Sequence, residues 1–197
     1  LLEGCTIVTS SIDHQTAGPP EPREPGPPPW RAARGAGISQ RLLVACAPFG
    51  PRLSATSVAR AIARGLTEGG LPEPDVCPLP IAAGNGEDGP LRLVGGNGGR
   101  NDEDVRGLLD ALGIDARMRC ARAVVVGTPL LEEGALAGSV TFEIATRARQ
   151  SGVPAYAVTR ENALGAFDAR ILDLQVILQA RSTDALASAG RELARLV

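Results

Sequence analysis

Apolar positions along this chain recur in two alternating rhythms. Leu42–Ala47 (LLVACA) and Ala123–Val126 (AVVV) are short unbroken apolar runs, the second β-branched and stopped by Gly127. Runs of this kind suit strands covered on both faces, as in a parallel sheet. Elsewhere apolar residues return every three or four positions: Val58, Ile62 and Leu66; Val105, Leu108, Leu109 and Leu112; Val140, Ile144 and Ala148; and Leu186, Leu193, Leu196 and Val197. Those spacings predict four helices, each with its apolar face turned inward. Ser54, Ser139, and Ser182 or Thr183 stand where caps belong. Gly69-Gly70 with Pro72, Gly113, and Gly152 with Pro154 stand where helices stop. Val76–Ile81 and Ala155–Val158 read as further strands, and Asn162–Phe167 as a short helical turn. Ile171–Leu178 alternates, with Leu172, Leu174, Val176 and Leu178 on one side and Asp173 and Gln175 on the other. It predicts a half-exposed strand at a sheet edge.

Strand and helix thus alternate. The fold class this predicts is α/β: an open, doubly wound, mostly parallel sheet with helices on both faces, Rossmann-like. Cys120–Thr159 is a βαβ crossover within it. Such sheets take ligands beyond the carboxyl ends of their strands. For this crossover that region is Gly127–Ser139, read as a loop broken by Gly127, Pro129, Gly134 and Gly138. The loop leads through Gly138 into a helix whose free N–H groups carry about half a positive charge. Ser139 can cap that helix or donate to a phosphate oxygen.

Composition removes much of enzymology. All twenty basic residues are arginine, and the only histidine is His14. Schiff-base chemistry, a lysine phosphate clamp and a lysine general base are therefore excluded, and a Ser–His pair is disfavoured. The net charge of −2 gives no electrostatic case for nucleic acid or an anionic membrane as partner. No apolar run approaches the ~20 residues of a membrane span. Cys5, Cys46, Cys77 and Cys120 are widely spaced and form no CxxC, which predicts reduced cysteines in a cytoplasmic protein and no metal site.

Residues 1–40 hold seven of the sixteen prolines and show no hydrophobic period. They read as a disordered Pro-rich arm before a domain spanning 41–197. Residues 1–18 lack the basic start and apolar core of a signal peptide. No methionine precedes Met118, so Leu1 reads as a fragment boundary or as upstream translation of non-coding sequence. Within the domain, Ala82–Arg100 breaks the rhythm. Gly84–Gly89 satisfies GxGxxG literally, but Pro90 and Leu91–Val94 follow instead of a helix. The next helix opens near Asn101 with Asp102, Glu103 and Asp104, which would repel a phosphate. A connection without dinucleotide binding is expected there.

The run APFGPRLSATSVARAIARGL, Ala47–Leu66, resembles the N-terminal signature of the type I glycerate kinase family, approximately APDSFKGSLSAxxVAxAIAxGL. Pro80–Gly84 stands where that family has PxADG. GTPLLEEGALAGS, Gly127–Ser139, resembles its GEGRLDxQTxxGK, and RARQSGVPAYAV after it resembles RAKxxGVPVIAL. AFDARIL (Ala166–Leu172) and the final ALASAGRELARLV are similar to the family's closing strand and helix. The resemblance covers about Arg41–Ile81 and Ala111–Val197, in matching order. It implies ATP-dependent phosphorylation of D-glycerate, with ATP and Mg²⁺ as cofactors where that activity is retained. It also implies ligand-binding roles for Gly127, Thr128, Glu132, Gly138 and Ser139.

The departures fall on the chemistry. The family's DSFK aligns with Ala47-Pro48-Phe49-Gly50, so the acid and the lysine are replaced by Ala47 and Gly50, and Phe49 is kept. The ADGGE acid falls on Ala83. Thr128 replaces an acid, Leu130 an arginine and Ser139 a lysine; Glu132 alone offers a carboxylate where the family has Asp. The family's inserted second domain is missing, with Ala82–Arg100 as a shortcut in its place. The expectation is a non-catalytic relative that binds a small organic acid, a nucleotide, or a protein partner on the former cleft face. The alternatives are an active kinase completed by another chain and a fragment without function.

Overall fold

In the computed structural model, five parallel strands form the central sheet, and residues 41–82, 92–93, 102–132 and 139–197 are described. The strands are β1 (Arg41–Cys46), β2 (Asp75–Pro78), β5 (Ala121–Glu132), β6 (Ala155–Ala163) and β7 (Leu174–Gln179), in the order β2-β1-β5-β6-β7. Two short strands, β3 (Ile81–Ala82) and β4 (Arg92–Leu93), pair antiparallel to each other beside it. The helices are α1 (Ala55–Glu68), α2 (Asp102–Ala111), α3 (Ile114–Arg119), α4 (Val140–Gln150), α5 (Ala166–Ile171) and α6 (Thr183–Leu196). Residues 1–40, the expected arm, lie outside the described residues, as does the GxGxxG stretch.

The apolar runs bury both faces of the sheet. Leu42, Val44 and Cys46 of β1 pack with Val125 of β5, Val58, Ile62 and Leu66 of α1, and Leu186 and Leu193 of α6. Leu43 and Ala45 pack on the other side with Val124 and Val126, Leu109 of α2, Ile114 and Met118 of α3, and Ile144 and Ala148 of α4. The architecture is therefore an open, doubly wound α/β sheet with helices on both faces. Ser54, Ser139 and Ser182 accept the amides of Ser57, Phe142 and Ala185 and so start α1, α4 and α6.

Several boundaries differ from the sequence reading. β5 does not stop at Gly127. It runs on through Pro129 to Glu132, so the first half of the expected loop is strand. Hydrogen-bond direction explains why. Ala47 N–H donates to Gly127 O at 2.8 Å, while Val124 N–H donates to Pro154 O at 3.0 Å. Odd positions of β5 therefore face β1 and even positions face β6. β1 ends opposite Gly127, so the N–H that Pro129 lacks would have faced a side with no described strand on it. β6 also outruns its expected end at Val158 and pairs with β5 as far as Glu132↔Ala163.

Ile171 belongs to α5 rather than to a strand. Asp173, at φ 53°, makes the turn from that helix into β7. α3 was not foreseen, because Gly113, at φ 64°, ends one helix and starts the next. Leu196 is 52% exposed where an inward position was expected, since Leu186, Gly190, Leu193 and Val197 already complete the stripe. β2 and β7 are the sheet edges, as the alternation in β7 predicts.

Candidate functional site

The strand order reverses between β1 and β5: the chain leaves β1 toward β2 on one side and returns to β5 on the other. Open α/β sheets take ligands at the carboxyl ends of the two strands flanking that reversal. Two features build the site there. On one side the chain leaves β1 in a turn, in which Phe49 N–H donates to Leu53 O at 2.9 Å and Gly50 takes φ 107°. On the other side, β5 and β6 continue past the end of β1 as a two-strand parallel ribbon, with Leu130↔Glu161, Leu131↔Asn162 and Glu132↔Ala163 in register.

Gly127 stands where the ribbon leaves the sheet. A Cβ at this position would meet Cys46 Sγ at 2.5 Å and Cys46 Cβ at 2.9 Å, so the close approach of β1 and β5 requires glycine. Burial pushes the Cys46 thiol far above its ordinary range, although a hydrogen bond with the Gly127 backbone works in the opposite direction. That thiol is a packing group, not a nucleophile. Cys77 is also raised, again chiefly by burial. The two sulfurs belong to cores on opposite faces of the sheet.

Thr128 is 3% exposed and sits in register with Thr159, which is fully buried. Each hydroxyl donates to the carbonyl two residues on: Thr128 to Leu130 O at 3.3 Å and Thr159 to Glu161 O at 2.7 Å. These bonds satisfy two buried polar groups at the root of the ribbon. Leu130 is half-buried, and Glu132 is exposed at the end of the ribbon. Ser139 caps α4, accepting from Phe142 N–H at 3.1 Å. Ala47 and Phe49 are buried, Ala47 against one core and Phe49 against the other. Gly138 and Ala83 lie outside the described residues. The structure thus joins Ala47 directly to Gly127, and spreads Thr128, Leu130 and Glu132 along one strand.

Sequence reading missed Arg160. Tyr156 and Val158 face the same core as Cys46 and Phe49, so Arg160 continues that face of β6. Its Nη1 lies 3.6 Å from where a Cβ on Gly50 would stand. The signal was present as alternation in AYAVTREN, but the run reads as ending where its apolar residues end.

A groove of about 670 Å³ lies elsewhere, between α1 and β2, with Arg60, Glu68, Glu73, Pro74 and Val76 among its walls. None of the candidate residues lines it. Among the described residues no three His, Cys, Asp or Glu side chains come together as metal ligands. No described helix is long and apolar enough to cross a membrane.

Known proteins add little to this geometry. No family model matches the chain, and no curated protein matches it. Among solved structures, one described as a pilus assembly-related protein from Burkholderia pseudomallei is 14% identical over 80% of this chain and 92% of that chain, with a TM-score of 0.39.

Proposed function

We propose that this chain is a glycerate kinase-like protein that has lost phosphoryl transfer and binds a small organic acid in the crevice between the β1–α1 turn and the β5–β6 ribbon. What supports this most is the 2.8 Å hydrogen bond from Ala47 N–H to Gly127 O. The two stretches that resemble the family's first and third motifs begin at these two residues. They meet at the reversal of strand order, where a ligand of such a sheet belongs.

The same positions argue against catalysis. A transferring phosphoryl group needs cations against its spreading charge. Gly50, Leu130 and Ser139 offer none where the resemblance calls for lysine, arginine and lysine. Loss of one such donor costs about 10²–10³ in rate. The described residues do not fit a magnesium–nucleotide group either, since Ala47 and Thr128 stand where its acids would be and no cluster of metal-ligating side chains forms.

The test is thermal melting of the full chain with D-glycerate, ADP and ATP–Mg²⁺, run beside an assay for phosphoglycerate. D-glycerate is expected to raise the melting temperature, a ligand at 100 times its Kd adding about 2.7 kcal/mol, with no phosphoglycerate formed. Turnover would overturn the loss of catalysis. No shift with any of the three would overturn the small-molecule reading.

A further inference from the structure

The groove between α1 and β2 holds about 670 Å³, within the ~300–1,000 Å³ range of small-ligand sites. Its β2 side is apolar: Pro74 is buried, and Val76 and Pro78 are half-buried. Its four charged residues are Arg60, Arg64, Glu68 and Glu73. Two of them are tied toward α6. Arg64 lies 3.6 Å from Glu68 and 3.9 Å from Asp184, and Glu68 also takes Arg191 at 2.5 Å. Arg60 and Glu73 have no hydrogen bond or ion pair among the described residues.

Those two charges stand toward opposite ends of the groove. β1 and β2 are parallel, so α1, which joins them, runs back against β2. The start of α1 is therefore level with the end of β2, and the end of α1 is level with Glu73. Arg60 is separated from Thr67, at the Glu73 end, by a helical rise of about 10 Å. The dipole of α1 has the same sense, positive toward Arg60 and negative toward Glu73. The strand adds a third contact. Leu79 N–H donates to Cys46 O, so even positions of β2 face away from β1. Val76 turns both its N–H and its C=O that way, while Pro74 and Pro78 present a carbonyl alone.

We propose that this groove binds a short zwitterionic peptide of about three residues. It lies parallel to β2, with its carboxylate on Arg60, its ammonium on Glu73 and its middle residue paired with Val76. An extended tripeptide separates its end charges by about 10 Å, which matches the groove. The guanidinium fork takes a carboxylate with two parallel hydrogen bonds. A single amino acid is too short to reach both ends. A long strand gains little, because the prolines on either side of Val76 limit the ladder to one residue. The site lies apart from the crevice at the reversal of strand order and does not rest on that reading.

Nuclear magnetic resonance titration of the full chain with tri-alanine tests it, using the peptide with both ends free, with its carboxyl amidated, and with its amine acetylated. Wild type is expected to bind the free peptide, with the amide signals of Ala63 and Val76 among those that move. Blocking either end is expected to weaken binding about three- to tenfold. Arg60→Met should bind free and amidated peptide alike, and Glu73→Gln should bind free and acetylated peptide alike, which ties each end to one residue. Arg119→Met removes an exposed charge from α3, which packs on the opposite face of the sheet, and should bind as wild type does. If a groove variant does not fold, the blocked peptides on wild type carry the test for that end. No binding by wild type would overturn the proposal, whether the groove is unfit or another part of the chain fills it. Blocked peptides that bind wild type as well as the free one would overturn it too. An equal loss in Arg119→Met would reduce the effect to net charge, and signals moving only around Ala47 and Gly50 would place the peptide in the crevice; either result overturns it.

Discussion

Cys46 and Gly127 face each other across β1 and β5 so closely that a single methyl on Gly127 would stand 2.5 Å from the sulfur and 2.9 Å from Cys46 Cβ. Gly127→Ala must therefore spread the two central strands. It is expected to cost about 1–3 kcal/mol, as overpacking of a tight core does. In a Cys46→Ala background the sulfur is gone but the Cβ contact stays, so only part of the cost should be relieved. Urea denaturation of the four proteins in the cycle measures it; a freely tolerated Gly127→Ala would mean the strands are not so close.

Arg147 joins three helices. Its side chain is 10% exposed, and its guanidinium binds Asp110 at 2.6 Å, Asp115 at 3.2 Å and Glu143 at 3.2 Å. Asp110 and Asp115 are more than half exposed, so solvent weakens those two pairs. Arg147→Met is expected to cost about 1–2 kcal/mol, and adding Glu143→Gln should recover some of it by removing the stranded carboxylate. Burial lowers the Arg147 pKa, but hydrogen bonds to Asp110 and Glu143 and the charge of Asp115 raise it by more, leaving it above its ordinary value. A raised cation contributes stability in full below its unfolded pKa and loses it only as pH climbs through the folded one. Stability curves of wild type and Arg147→Met should therefore run parallel between about pH 6 and pH 9.

Ser139→Ala removes the cap that accepts Phe142 N–H at 3.1 Å. It should cost about 1 kcal/mol. If the crevice beside the β1–α1 turn holds D-glycerate, the same substitution should leave its affinity within about twofold, because that site is organised by the turn at Gly50 rather than by the start of α4. Calorimetry on the same sample separates the two quantities.

Alkylation should discriminate sharply between thiols. Cys120 is exposed, while Cys46 and Cys77 are buried with raised pKa values. At neutral pH an alkylating reagent followed by mass spectrometry should mark Cys120 and leave Cys46 and Cys77 unmarked until denaturant is added. The sign of the pH effect follows. Thiols held neutral stabilise the fold below about pH 8.5, where a free thiol ionises, and that contribution falls as pH rises further.

At β2, an edge of the described sheet, prolines stand on the outward side. Leu79 N–H donates to Cys46 O at 2.8 Å, so odd positions there face β1 and even positions face outward. Pro74 and Pro78 are both even and lack the donor a joining strand would use. Pro74→Val combined with Pro78→Val should raise self-association with concentration, read by light scattering, while thermal unfolding of the monomer changes little.

What was legible in the sequence was whatever depends on local periodicity. Val58, Ile62 and Leu66, or Val140, Ile144 and Ala148, announce their helices, and Ser54 and Ser139 their starts. What was not legible depends on where a neighbouring strand stops. Gly127 and Pro129 carry the same chemistry in a loop as in a strand. They sit in a strand here because Cys46 demands the first and the end of β1 tolerates the second. Arg160 was hidden for the same reason: nothing local says that β6 keeps its alternation after its apolar residues run out, and nothing local says that Gly50 lies two strands away. The candidate residues Gly127 and Ser139 were readable as positions in an α/β crossover, whereas their partners Ala47 and Phe142 become visible only through the hydrogen bonds of the fold.

The twelve residues of β5 pass from the middle of a five-strand sheet to a ribbon that, among the described residues, pairs on one side only. Amide hydrogen exchange along this single strand should therefore be graded. Val124 to Val126, covered on both faces and paired on both edges, should exchange only when the whole domain opens, and Leu130 to Glu132 through small local openings at far lower free energy. One strand would then serve as an internal gauge, its root reporting global stability and its tip reporting whatever settles beside it.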